Sequence, residues 1–353
     1  MYNTRQLFED LNSNRLVKKF GLHVSDLRDC WLRYGEPHRF YHSYSHIFDL
    51  FDQIEQCTHA GDKEMIQLIA LYHDSIYDPQ SQTNEADSAN YFRDSMNPAM
   101  INDDDCTQII DAIMDTKYSF PMNDPSSDES SQFIDFDFNQ LYTNSVEQLI
   151  SNEYKIMKEY QYLPFTQYKK NRLEFIDNVV KVVPFDHGCE NLVELKHFIE
   201  NWRPKIGIYA GSFNPFTTGH MNILEQAERL FDKVIILQPI NPDKPVHNYN
   251  VSNTLPCHQI IRWGRMVMEY VTVASTHCDI TLVRGLRNGN DLQYEENMKR
   301  FMGDQGDCNV AYFLSDMEFQ HISRSDVRGI KKFDANMYNS YIPTKYTYLL
   351  ENK

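Results

Sequence analysis

The chain reads as two domains of different class: an all-helical domain, then an α/β domain built on a parallel sheet. Three observations predict this. Its 353 residues exceed what one hydrophobic core normally serves. Up to about residue 180, apolar side chains recur at helical spacing. Beyond residue 204, short β-rich runs alternate with helical ones.

In chain order, Ile66, Ile69 and His73 share one helical face, and Ile109, Ile110, Ile113 and Met114 mark the next helix. The polar run Asn123–Ser131 reads as a loop. Val146 through Tyr160 is a further helix, and Pro184 with Gly188 ends the region. Glu190 to Trp202 reads as a connecting helix stopped by Pro204. Strands are expected at Ile206–Tyr209, Val234–Leu237, Asp279–Val283 and Asn309–Leu314. The domains are therefore placed at 1–186 and 205–353, with 187–204 connecting them.

Composition narrows the function. Hydrophobic residues make up 41%, which is globular, and no run of eighteen apolar residues could cross a membrane. The start, Met-Tyr-Asn-Thr-Arg, lacks the apolar stretch of a secretion signal. Seven scattered cysteines without a Cys-x-x-Cys pair read as reduced thiols, so a cytoplasmic location is expected. Charge is uneven. Residues 201–353 carry 17 Lys+Arg against 16 Asp+Glu, which leaves 17 against 34 for residues 1–200. An acidic first half argues against nucleic acid as a partner and suits a metal site.

The most informative stretch is Tyr209-Ala-Gly-Ser-Phe-Asn-Pro-Phe-Thr-Thr-Gly-His220, between an apolar strand and the helix opened by Met221. A strand, a Gly/Pro turn and a Gly-His at a helix start make a phosphate site, because free N–H groups and a ring nitrogen converge there. Two more segments, Val283–Glu295 and His321–Arg328, also fall at strand-to-helix junctions. In open α/β sheets ligands bind beyond the carboxyl ends of the strands, so all three belong on one rim.

Gly-Ser-Phe-x-Pro-x-Thr-x-Gly-His, then Arg-Gly-Leu-Arg with Asp, Tyr and Glu, then Ile-Ser-x-Ser-x-x-Arg together resemble phosphopantetheine adenylyltransferase, within the nucleotidyltransferase superfamily. The resemblance covers about residues 205–345. It implies a Rossmann-like fold and attack by an acceptor phosphate on the α-phosphorus of ATP, with Mg²⁺. It further implies that His220 stabilises the transition state and Lys244 neutralises the reacting phosphates. Arg284 would hold the acceptor phosphate and Arg287 the ATP phosphates. Gly211, Ser212, Phe213 and Gly219 would shape the turn, Glu295 would lie near the ribose, and Ser323 and Ser325 would donate to the triphosphate. Three departures stand out: Asn214 replaces an Asp, Arg324 brings a charge into the Ser-x-Ser turn, and Met302 replaces an acceptor-site Asn. The stretch from Tyr270 to Ile280 is also short for the pantetheine arm, which keeps nicotinamide mononucleotide open as an acceptor. Such relatives form oligomers, which implies a homo-oligomer.

In the first half, Phe40-Tyr-His-Ser-Tyr-Ser-His46 precedes Ala70-Leu-Tyr-His-Asp-Ser-Ile-Tyr-Asp-Pro79. Adjacent His73 and Asp74 offer an imidazole and a carboxylate to a divalent metal. With Asn84-Glu85-Ala-Asp-Ser88 and Phe133-Ile-Asp-Phe-Asp-Phe138, this resembles the HD-domain phosphohydrolases. That likeness implies an HD-type helical fold and metal-assisted phosphate hydrolysis. Its ligands would be His46, His73, Asp74 and one of Asp135 or Asp137, holding Mn, Fe, Ni or Zn. His42 is a ligand or a substrate contact, and Glu85 supports from behind. The subgroup's Thr-x-His appears here as Thr116-Lys-Tyr118, without the His. Three functional readings follow: a bifunctional enzyme acting on a nucleotide and a small phosphorylated acceptor, a phosphohydrolase whose second half only senses nucleotide, or a chain whose helical half is non-catalytic and serves assembly or partner binding.

Overall fold

The computed structural model describes residues 15–96, 102–118, 120, 123–182, 189–240, 250–304 and 306–351. The chain divides into two compact units, Met1–Lys155 with Glu174–His197, and Ile156–Leu173 with Phe198–Lys353.

The first unit is helical. It contains α1 (Arg15–Phe20), α2 (Val24–Arg33), α3 (Tyr44–Gln56), α4 (Lys63–Tyr72), α5 (Asn84–Ser95), α6 (Asp103–Asp115) and α7 (Asp128–Thr143). The helices α8 (Val146–Glu159), α9 (Phe165–Val182) and α10 (Cys189–Asn201) follow. Helix α4 is the axle. Every residue from Met65 to Tyr72 is buried, as expected of a helix apolar all round. It packs against α1, α2, α3, α5, α6 and α7. Asp62 starts it by accepting from the Met65 amide. Burial of α4 carries the residues that follow it, His73 and Asp74, into the interior of the unit.

One expectation needs correction. Asp128–Ser131 are not loop but the first turn of α7. Ser127 accepts from the Ser130 amide at 3.0 Å, and Asp128 and Glu129 suit the positive end of the helix dipole. The polar composition that suggested a loop is a capping signal. Pro184 and Gly188, expected to end the helical region, lie outside the described residues.

The second unit holds a five-stranded parallel sheet: β1 (Lys205–Ala210), β2 (Lys233–Pro239), β3 (Ile260–Trp263), β4 (Asp279–Leu286) and β5 (Asn309–Leu314). Their order is β3-β2-β1-β4-β5. Tyr209 stands opposite Ile236 on one side and Val283 on the other. The order reverses between β1 and β4, which makes the crevice there the topological switch point. Helices α11 (Thr218–Leu230), α12 (Val267–Ala274), α13 (Gly289–Gly303) and α14 (Arg324–Ile330) complete the crossovers and the rim, with α15 (Ala335–Ser340) and α16 (Tyr348–Glu351) after them. Strand β3 and helix α12 were not foreseen. The strand is four residues long and none of it is fully buried, so it offers little pattern. The strand lies just ahead of the stretch from Tyr270 to Ile280, and the helix runs into it.

Candidate functional site

The turn from Gly211 to Thr217 leaves β1 at the switch point. Phe213 occupies the left-handed region at φ 41°, which a bulky side chain tolerates only when packing enforces it. Here its ring is buried against Tyr209 at 4.9 Å, Phe216 at 5.4 Å and His220 at 5.3 Å. A Cβ on Gly211 would meet that ring at 2.8 Å, so glycine is what lets Phe213 fold back over the strand end. A Cβ on Gly219 would meet nothing closer than 3.7 Å, so the protein's own packing does not demand glycine there.

His220 is oriented by its own helix cap. Thr217 Oγ1 accepts from the His220 amide at 3.4 Å, and His220 Nδ1 accepts from the Thr217 amide at 2.9 Å. The result is a capping box with His in the place usually taken by Glu or Gln. Because Nδ1 is an acceptor, the neutral ring carries its proton on Nε2. Burial, then Arg324 and Arg287, push the imidazole down to about 3. The side chain is a neutral N–H donor at physiological pH. Asn222 fastens the same helix to the residues after β5: its Nδ2 donates to Asp316 Oδ2 at 2.7 Å and its Oδ1 accepts from the Asp316 amide at 3.0 Å.

Arg284 lies near the carboxyl end of β4, beside this turn. Its Nη1 donates to the Ala210 carbonyl at 3.3 Å, and Glu295 Oε2 lies 3.2 Å from its Nε. The residues expected at the acceptor phosphate and the ribose are therefore each other's partners. Arg287 is bidentate on Asp291, at 3.0 and 3.2 Å. The third segment docks on the first. Arg324 donates to Ser212 Oγ, and Arg328 to the Asn214 carbonyl at 3.2 Å. Ser323 caps α14, donating to Asp326 Oδ2 at 2.6 Å and accepting from its amide at 3.2 Å. Ser325 is exposed one residue into that helix beyond Arg324. Lys244 lies outside the described residues. The docking role of Arg324 was not foreseen; the only signal was an unexpected charge in the motif.

Against known proteins, the family model described as cytidylyltransferase-like matches residues 208–328. The phosphopantetheine adenylyltransferase of Streptococcus pneumoniae (strain CGSP14) is 34% identical over 154 residues, covering 39% of this chain and 90% of that protein. That of Streptococcus sanguinis (strain SK36) is 35% identical over 150 residues, covering 39% and 89%. The α/β part of this chain belongs to the phosphopantetheine adenylyltransferase family. A solved Vibrio parahaemolyticus chain described as a nicotinate-nucleotide adenylyltransferase is 19% identical, over 42% of this chain and 99% of that one, with a TM-score of 0.30. The chain thus contains an adenylyltransferase-type nucleotidyltransferase domain joined to a helical unit. In the adenylyltransferase-family domain, the three segments quoted above meet at the switch point of the sheet. Among the described residues no helix is long and apolar enough to cross a membrane.

The helical unit gathers its own cluster. His46, His73 and Asp74 each offer a ligand atom, all within 4.8 Å of one another. Asp137 Oδ1 is 3.3 Å from His46 Nε2, and Asp74 Oδ2 is 3.1 Å from His73 Nε2. His42 Nε2 stands 3.9 Å from the same Asp74 oxygen. Of the two aspartates left open, Asp137 faces the cluster. Asp135 is exposed, because two residues turn a helix by about 200°. Helix phase thus leaves Asp135 away from the cluster. No described hydrogen bond or ion pair joins Glu85 to it. Supports come instead from Arg39, whose guanidinium donates to the Asp74 carbonyl at 2.6 Å and the Ser75 carbonyl at 3.0 Å. Asn84 and Ser88 clamp the following loop at Asp78 and Ile76. At Tyr118, where a His was missed, the phenol donates to Asp137 Oδ2 at 2.6 Å.

His73 Nδ1 lies 2.8 Å from the Ala70 carbonyl, so it carries a proton. A neutral ring would then turn its Nε2 lone pair toward the Asp74 carboxylate. That contact requires a cation between them, either a proton or a metal. Burial opposes charging His73, yet Asp74 outweighs it and lifts the imidazole to about 9. Burial likewise works against the Asp74 charge, and His73 and His42 hold its carboxyl well below the usual range. His46 Nδ1 is buried without a partner among the described residues. Two imidazoles and one or two carboxylates are a donor set that fits a divalent transition metal.

Proposed function

We propose that the α/β domain transfers the adenylyl group of ATP, taken with Mg²⁺, to a phosphate-bearing acceptor of the 4′-phosphopantetheine type. An acceptor phosphate oxygen forms a bond to the α-phosphorus, the bond to the β-phosphate bridging oxygen breaks, and pyrophosphate leaves. Such transfer needs positioning and charge neutralisation rather than a covalent nucleophile. The observation that carries the reading is His220: neutral, with its donor nitrogen fixed as Nε2, at the switch point and within the influence of Arg324 and Arg287. Nε2–H suits a phosphoryl oxygen whose negative charge grows in the transition state. Room at Gly219 fits the same role. Lys244, Ser323 and Ser325 are proposed contacts for the phosphates, with Ser323 also capping its helix.

Pyrophosphate release from ATP tests this, with 4′-phosphopantetheine and, in parallel, nicotinamide mononucleotide. Turnover with the first supports the proposed acceptor, and turnover with only the second replaces it. No release with either leaves the sensor reading as the better one.

A second reading concerns the helical unit, and the cluster of His46, His73, Asp74 and Asp137 favours it. We propose that these residues hold a divalent transition metal, in an HD-type phosphohydrolase site. A metal there would supply Lewis acidity to a phosphate ester. His73 is kept in the ligating tautomer by Ala70, and Asp137 is oriented by Tyr118. Metal analysis of the full chain after exposure to Mn²⁺, Fe²⁺, Ni²⁺ and Zn²⁺ checks it. A chain that retains none of them, or retains as much after Asp74→Ala, would sink the metal site.

A further inference from the structure

Arg284 and Arg287 each meet a carboxylate, Glu295 and Asp291. Arg324 and Arg328 do not. Arg324 is held by the Ser212 hydroxyl and Arg328 by the Asn214 carbonyl, both neutral acceptors of the β1–α11 turn. Among the described contacts no ion pair reaches either guanidinium. The charged groups that bear on Arg324 are themselves cations, Arg328 and Arg287. Arg324 and Arg287 are also the charges that bear on His220. Arg324 thus faces two other guanidinium groups, of which Arg287 is balanced by Asp291, and has no carboxylate of its own among the described contacts. Coulomb repulsion disfavours that arrangement until an anion enters it. A guanidinium has the planar fork that matches phosphoryl oxygens two at a time.

We propose that Arg324 is a phosphate-binding residue of the transfer site, receiving a substrate phosphoryl group beside Ser212. The inference rests on the adenylyl-transfer reading and adds to it a residue that the motif does not require. The phosphoryl group has two possible sources, the polyphosphate of ATP and the monoester of the acceptor.

Calorimetric titration of the full chain separates them, using ATP, pyrophosphate, 4′-phosphopantetheine and, as a control, adenosine. Arg324→Ser is expected to weaken ATP and pyrophosphate about tenfold or more, the scale of one charge-assisted contact, and to leave adenosine unchanged. Arg324→Lys should recover only part, since it restores charge without the fork. Loss confined to 4′-phosphopantetheine also supports the assignment and names the acceptor as the source. If Arg324→Ser loses adenosine too, the lysine variant decides: native affinities for every phosphate ligand would then overturn the proposal. Equal or tighter phosphate binding by Arg324→Ser overturns it as well, while native ATP binding leaves adenylyl transfer standing. A native chain that binds neither ATP, pyrophosphate nor the acceptor overturns both.

Discussion

At the scale of single residues, side chains here are set by what their backbone neighbours demand. His220 receives two donors at Nδ1 from Thr217, its amide and its hydroxyl, each at 2.9 Å. Its remaining nitrogen is committed to donating. His220→Ala should therefore cut pyrophosphate release by about 10²-fold or more, the cost of one lost oxyanion donor. A variant within threefold of native would mean that the ring only caps the helix.

Lys233 offers a second test. It is 2% exposed and donates to the Leu163 carbonyl. Burial lowers its ammonium to about 7. The unfolded chain holds that proton up to about pH 10.4, so between pH 7 and 10.4 it binds more protons than the folded one, and stability rises with pH. The advantage of Lys233→Met over native should be largest near pH 7 and shrink toward pH 10, at up to about 1.4 kcal/mol per pH unit. Urea midpoints across that window would read it, and a constant difference would contradict it.

At the scale of elements, the transfer site depends on how closely α11 lies on β4. A Cβ at Gly285 would meet Ile223 Cγ1 at 2.9 Å, and Ile223 is buried and β-branched. Gly285→Ala should cost about 1–3 kcal/mol, the usual range for overpacking. It should also raise the KM for ATP, because Ile223 lies one turn from His220. Native stability in the variant would show that the contact yields. Legibility in the sequence follows the same logic. Strands β1, β2, β4 and β5 are apolar runs and were readable. Strand β3 is short and half-exposed, so its signal is weak. The start of α7 was hidden because Ser127, Asp128 and Glu129 serve caps and loops alike.

At the scale of the whole molecule, the two sites belong to different compact units. His220→Ala should cut transfer by about 10²-fold or more and keep the bound metal, whereas Asp74→Ala should lose metal and spare transfer. Loss of both properties in either folded variant would show that the sites are coupled.

Residue order by itself determined the class of each domain, the three rim segments and the set of imidazoles and carboxylates, because periodicity and turn chemistry are local. Only the tertiary structure put Asp137 rather than Asp135 beside His46, paired Arg284 with Glu295, and brought Arg324 onto Ser212, 112 residues away. Those outcomes depend on helix phase, on strand order and on which charges share a crevice. They are distances through space, and spacing along the chain does not encode them.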